Sequence, residues 1–261
     1  MYAALASNAA AQDPSTVLNE QLQLGEVFSH QRLNVVDARQ QVTVSNTALG
    51  NQINGGTEGQ SLRFRNRQTG FAAAVAQTQL NLAGQTRGRV TVVGQARVNE
   101  ASVAANDAPL ALDSEQYAYG PAVSTVTQDN TQARLLGGAS VTSAAYSNNL
   151  NAGGHNTFAS GSISQHSTEH TLAQTQVSAL YIPGSSSFAS DAASNSAQVV
   201  TTGTSGQDLS VSQTNEAWTG AESISSAVNV WDASTTSSAA ANRALLYNSG
   251  GSQLTTTDQN N

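Results

Sequence analysis

The sequence has no cysteine and no lysine, and its ten basic residues are all arginine. Without lysine there is no P-loop lysine, no Schiff-base lysine and no kinase-type catalytic lysine. Without cysteine there is no disulfide framework, thiolate zinc site, iron–sulfur cluster or thiol nucleophile. Charged residues make up 10% and aromatics 5%, with only four prolines. Leu, Ile, Val and Phe together number 50 of 261, near the lower edge for a globular chain. No window approaches the roughly 18 apolar residues of a membrane helix.

What is present is small and neutral. Ser, Thr, Asn and Gln number 105, and Ala adds 41. So polar a chain invites a reading of disorder, but disorder usually comes with high charge and abundant Pro, Lys and Glu. Here Val and Thr are plentiful instead, and both favour a pleated backbone. The composition fits extended structure with a thin core, held largely by backbone and amide hydrogen bonds. Stacked β architectures tolerate this, because each strand rests on a neighbour and Asn or Gln can form ladders.

Period-2 alternation recurs in short windows, with Leu22 and Leu24, Val42 and Val44, Leu62 and Phe64, Leu80 and Leu82, and Val90 and Val92 each on one face. Gly and Asn clusters such as Asn54-Gly55-Gly56, Gly137-Gly138 and Gly250-Gly251 separate them, where the chain can turn. With five Phe and two Trp, the interdigitating faces of a sandwich would be poorly filled. A solenoid needs only a narrow core. The expected fold is therefore all-β, an elongated β-solenoid (β-helix) of short stacked strands with little helix; sandwich or barrel is the alternative. Residues 69–77 and 233–248 are the segments that could be helical instead. No strict repeat is evident. The pieces starting at Val42, Val141 and Val177 are loosely similar, each an extended start followed by Ser or Asn and a turn. Residues 1–14 read as the Ala-rich remnant of a signal-like segment, 15–249 as one β-solenoid domain, and 250–261 as a polar flexible tail.

Charge is unevenly placed. Residues 1–97 hold 8 Arg against 5 acids, and residues 98–261 hold 2 Arg against 12. Arg63, Arg65 and Arg67 alternate on one strand face, with Arg87, Arg89 and Arg97 shortly after. If the two segments stack, they present an outward basic stripe for an anionic polymer or partner, since guanidinium forks bind carboxylate, sulfate and phosphate bidentately. The opposing reading is a solvated face whose charges discourage edge pairing. Negative total charge and the lack of a recognition helix argue against nucleic acid.

Catalytic patterns are weak. His166 to His170 match an H-x-x-E-H spacing, but that zinc motif needs a helix, and the Ser/Thr-rich flanks are poor helix formers. On a strand the two imidazoles would lie about 13 Å apart, too far to share a metal. No G-x-S-x-G elbow occurs. Asp107 and Asp113 are the only close acid pair with context for a polysaccharide lyase or hydrolase. No catalytic residue, metal or cofactor is therefore assigned. The aromatics Tyr117, Tyr119, Tyr146, Tyr181, Tyr247, Trp218 and Trp231 are scattered; covering rung cores or ends is their plain role and stacking on sugars the alternative.

Three segments, VTVSNTALGNQINGG, AAVAQTQLNLAGQTRGRVTVVGQARVN and VTSAAYSNNLNAGGHNTFASGSISQ, resemble the holdfast anchor protein D family of stalked alphaproteobacteria, over roughly residues 15–250. Lysine poverty and the signal-like start are similar too. The resemblance implies a non-enzymatic protein, secreted to the cell surface and outer-membrane associated, that anchors the adhesive holdfast polysaccharide to the envelope. It implies a curlin-like companion anchor protein and a curli-exporter-type outer-membrane lipoprotein pore as partners. It offers no catalytic residue. The rival readings are a self-associating adhesin or autotransporter-like passenger and, behind that, a β-helix enzyme.

Overall fold

The computed structural model describes residues 15–261, which contain strands and turns but no helix. The first coil consists of β1 (Ser15–Gln23), β2 (Val27–Val35) and β3 (Val42–Glu58). The second is β4 (Leu62–Gly70), β5 (Ala74–Leu82), the two-residue β6 (Gln85–Thr86) and β7 (Val90–Asn106). The third is β8 (Leu110–Ala118), β9 (Ala122–Asp129), β10 (Arg134–Leu135) and β11 (Ala139–His155). The fourth is β12 (Phe158–Ser167), β13 (Thr171–Ile182) and β14 (Ser186–Thr202), and the fifth is β15 (Gly206–Asn215), β16 (Thr219–Val230) and β17 (Ala233–Ser249). β18 (Gln253–Asn260) opens a sixth.

Every pairing joins a strand to its equivalent in the next coil, in parallel. Sheet A is β1-β4-β8-β12-β15-β18, sheet C is β3-β7-β11-β14-β17, and sheet B runs β2-β5-β9-β13 with β16 on β13 and the short β6 and β10 at the side. This is a β-solenoid. In-register parallel stacking sets equivalent side chains one above another, so a column of like charges would repel. That explains why so few residues are charged and so many are Ser, Thr, Asn, Gln and Ala.

The long strands of sheet C are bent. In β3 the inward residues are Val42, Val44, Asn46 and Ala48, then Asn51 and Ile53, so the alternation changes phase near Gly50. In β7 and β11 the register skips at the equivalent place, Val98 and Ser147. The bend lies opposite the corner where sheet A passes into sheet B. Gly70 is required at that corner: a Cβ there would collide with the Val98 side chain.

Apolar side chains fill the two arms. Val42, Val44, Leu80, Leu82, Val90 and Val92 belong to the cluster between sheet B and the first half of sheet C. Leu62, Phe64, Val103, Leu110, Leu112 and Leu150 belong to the cluster between sheet A and the second half. Where the corners approach, the core narrows to Ala74, Ala118, Ala122, Ala145, Ala173 and Ala192 with Val98.

Two buried amide ladders flank this narrow waist. Gln68, Gln116, Gln165, Gln213 and Gln259 each donate from Nε2 to the Oε1 of the equivalent Gln one coil earlier, at 2.6–2.9 Å, beginning on Gln21. Four of these, and Gln21, also donate to carbonyls of sheet C at 2.9–3.1 Å. Asn51, Asn99, Asn148 and Asn195 donate the other way, each to the Oδ1 of the next Asn at 2.8 Å, ending on Asn242. Their second N–H bonds carbonyls at the end of sheet A at 2.7–3.0 Å, and Asn242 does the same. Both amide protons are thus used, which removes the penalty of burying them.

Three sequence expectations change here. There is a repeat: ladder partners lie 46–49 residues apart. Of the three similar pieces, those at Val42 and Val141 do share sheet C, but Val141 pairs with Val92 and hence Val44, two residues out of the expected register; the piece at Val177 belongs to sheet B. Residues 233–248 and 69–77, possible helices by composition, are respectively strand β17 and the corner between β4 and β5. The end of the chain is not a loose tail, since Gln253–Asn260 stack on β15 through continuous parallel pairing. Residues 1–14, expected to be a signal-like remnant, lie outside the described residues.

Candidate functional site

The outward positions of sheet A form columns across the coils. Register sets Thr16, Arg63 and Ala111 in one, Leu18, Arg65 and Asp113 in the next, and Glu20, Arg67 and Glu115 in the third. Arg63, Arg65 and Arg67 are exposed, while Leu62, Phe64 and Gln68 of the same strand point into the core, as strand alternation demands. Arg67 lies between two acids, 4.0 Å from Glu20 and 3.8 Å from Glu115. Leu18, Arg65, Arg67 and Asp113 help line a groove of about 450 Å³.

The six arginines do not form one stripe. Arg87 and Arg89 are exposed in the connection between β6 and β7, at the far end of the coil from sheet A. Arg97 is on the outer side of sheet C, its guanidinium 5.6 Å from the Tyr146 ring centroid and paired with Glu100. The segment containing Arg63–Arg67 stacks on β1 and β8, not on β7, because the chain must complete a coil before it meets itself.

Sheet C also carries a cluster that sequence reading missed. The Tyr146 hydroxyl donates to Asp191, and Arg243 grips the same carboxylate with bonds of 2.8 and 3.1 Å. Burial and the bond to Asp191 push the Tyr146 hydroxyl up to about 12. Burial alone would raise the Asp191 carboxyl, but the bonds from Arg243 and Tyr146 outweigh it and hold it below the ordinary 3.8. The bond to Asp191 likewise raises the Arg243 guanidinium. The cluster ties the third, fourth and fifth coils together and is a structural clamp. Its partners are 45 and 52 residues apart, and only the coil period would have aligned them.

The other motifs separate. His166 ends β12 and faces Glu216 at 3.6 Å, whereas His170 lies in the following turn, where its ring stacks on Trp218 at 5.4 Å. Asp107 sits in the turn after β7 and accepts from Asn156, while Asp113 is on the sheet A face, so they form no catalytic pair. Among the described residues no group of three His, Asp or Glu is placed to hold a metal ion.

The model of the family described as HfaD, holdfast attachment protein D, matches residues 36–261. No curated protein and no solved structure matches the chain.

Proposed function

Because the chain belongs to the holdfast attachment protein D family, we propose that it is an extracellular, outer-membrane-associated anchor that fastens the adhesive holdfast polysaccharide to the cell envelope. The family's role is attachment, which is non-enzymatic work at the cell surface. Axial charge separation carries the envelope half of the reading. The solenoid axis follows the chain, so among the described residues 8 Arg against 4 acids in 15–97, and 2 against 12 in 98–261, become two ends of different sign. The basic coils, with Arg63 and Arg65 exposed on sheet A, face an anionic envelope component. Stacked coils repeat similar surfaces, so many weak contacts add by multivalency. A curlin-like companion and a curli-exporter-type pore are the partners this role calls for.

The test replaces Arg63 and Arg65 with Ser in cells making tagged protein, with a holdfast stain and fractionation. Holdfast should be shed into the medium while the protein stays folded. Unchanged surface adhesion, or wild-type protein confined to the cytoplasm, overturns the proposal.

A second reading, a self-associating adhesin, draws on the fifth and sixth coils. Val228, Trp231 and Leu254 are 72, 86 and 69% exposed there. Concentration-dependent sedimentation of the purified chain decides it.

A further inference from the structure

At the corner from sheet A to sheet B, the register assembles aromatic rings from different coils. Tyr117 and Tyr119, two residues apart in the third coil, lie with ring planes 6° apart and centroids at 6.4 Å. They form a shelf. One side is capped by His166 of the next coil, tilted at 6.4 Å from Tyr117 and 6.2 Å from Tyr119. On the other side Phe71 stacks under Tyr119 at 5.1 Å and 15°. Under Tyr117 there is no ring: the register puts Thr69 there, and Leu22 one coil further. Small Thr69 between Leu22 and Tyr117 leaves a slot with the underside of Tyr117 as its roof. It opens into a groove of about 530 Å³ bounded by Phe71, Arg67 and Glu20.

We infer that this slot binds a pyranose unit of a polysaccharide that lacks acidic groups, stacked on the open face of Tyr117 and floored by Thr69. The inference deepens the proposed attachment role and rests on it. An aromatic face suits the C–H face of a sugar ring, just as it suits other flat apolar groups with polar edges. Leu22 and Tyr117 are two strands apart, about 9.6 Å, which leaves room between them for one saturated ring. Phe71 is 53% exposed, so the wall beside the slot is open to a ligand. The rim decides the charge. Arg67 is already shared by Glu20 and Glu115, so carboxylates outnumber the one guanidinium. A polyanion would meet repulsion there, whereas neutral hydroxyls or protonated amines find acceptors.

The test uses the purified full chain and three hexameric probes: a cello-oligosaccharide, a glucosamine oligomer and an oligogalacturonate, followed by calorimetry and tyrosine fluorescence. The neutral or amine probe should bind and the galacturonate should not. Tyr117→Ala should weaken binding at least tenfold. Thr69→Tyr should do the same while keeping every ring, because it fills the slot and only lengthens the stack; unchanged melting temperatures show that both variants fold. Binding of the galacturonate alone, binding of no probe, or wild-type affinity in either variant overturns the slot. The outcome is separable from that of the proposed function. Loss of holdfast from cells lacking the protein, with no probe bound by the purified chain, sinks the slot alone. Holdfast retained in such cells sinks the attachment role even if sugars bind.

Discussion

Gln165 donates to the Oε1 of Gln116 at 2.8 Å across a coil boundary, although the two residues are 49 apart in sequence. Gln116 in turn donates to Gln68, so each amide is both donor and acceptor. The Asn ladder beside it donates in the opposite direction along the axis. The two columns' dipoles oppose one another, and any slip of register would break both at once. The ladders thus supply register specificity that a core of Ala and Val lacks.

Removing an inner rung should therefore cost more than removing an end rung. Gln116→Leu strands the Gln68 oxygen, the Asn149 carbonyl and a Gln165 proton in a buried site. The expected loss is about 3 kcal/mol, from unsatisfied polar groups at about 1–3 kcal/mol each with partial relaxation. Gln259→Leu, on the last strand, should cost under about 1 kcal/mol. Denaturant midpoints compare the two; equal losses would mean the ladder adds nothing beyond packing.

The Asp191 clamp makes stability acid-sensitive. Its carboxyl is depressed when folded, so the contribution is complete above about the ordinary value of 3.8 and disappears as pH falls through the lower folded value. Asp191→Asn should melt earlier at neutral pH and show a flatter acid limb. A melting curve against pH whose acid limb is the same in both proteins rejects this.

The alkaline side has the opposite sign. Tyr146 titrates at 10.0 when unfolded and at about 12 when folded, so its contribution holds below pH 10 and is lost between the two values. Its phenolate absorbance should appear only near the upper end of that interval. Tyr146→Phe should remove that late step and weaken the alkaline dependence.

Backbone sterics give a sharper prediction at Gly153. Its φ is +139°, and a Cβ there would collide with the Val200 carbonyl of the next coil. The obstacle is backbone in a paired strand, so relief means moving β14 away from β11. Gly153→Ala should cost about 3 kcal/mol or more, from strain together with overpacking. Hydrogen exchange should rise first along β11 and β14; wild-type protection there would refute the account.

Much of the architecture is legible in the residues. Alternation at Val42 and Val44 or Leu62 and Phe64 marks real strands, and low charge fits in-register stacking. The repeat escapes notice because most columns do not require one residue type: Asn66 sits on Ser114, Arg65 on Asp113 and Thr69 on Tyr117. Identity is held mainly where an amide must meet an amide. Asn51 with Gln68, Asn99 with Gln116 and Asn148 with Gln165 are the traces that would have revealed the period. The phase change near Gly50 and Val98 hides it further, since each long strand reads as two unrelated short ones.

Sequence by itself determined that the chain is extended, sparsely charged and stacked, because those properties depend on side-chain type and local alternation. Which residues meet was decided only by the tertiary structure. Coils of slightly different length bring together positions 46 to 49 residues apart, and one residue more or less in a turn changes every outward column. The arginines that sequence grouped as one stripe were dispersed to three surfaces by that closure, while Phe71, Tyr117 and Tyr119 were gathered at one corner.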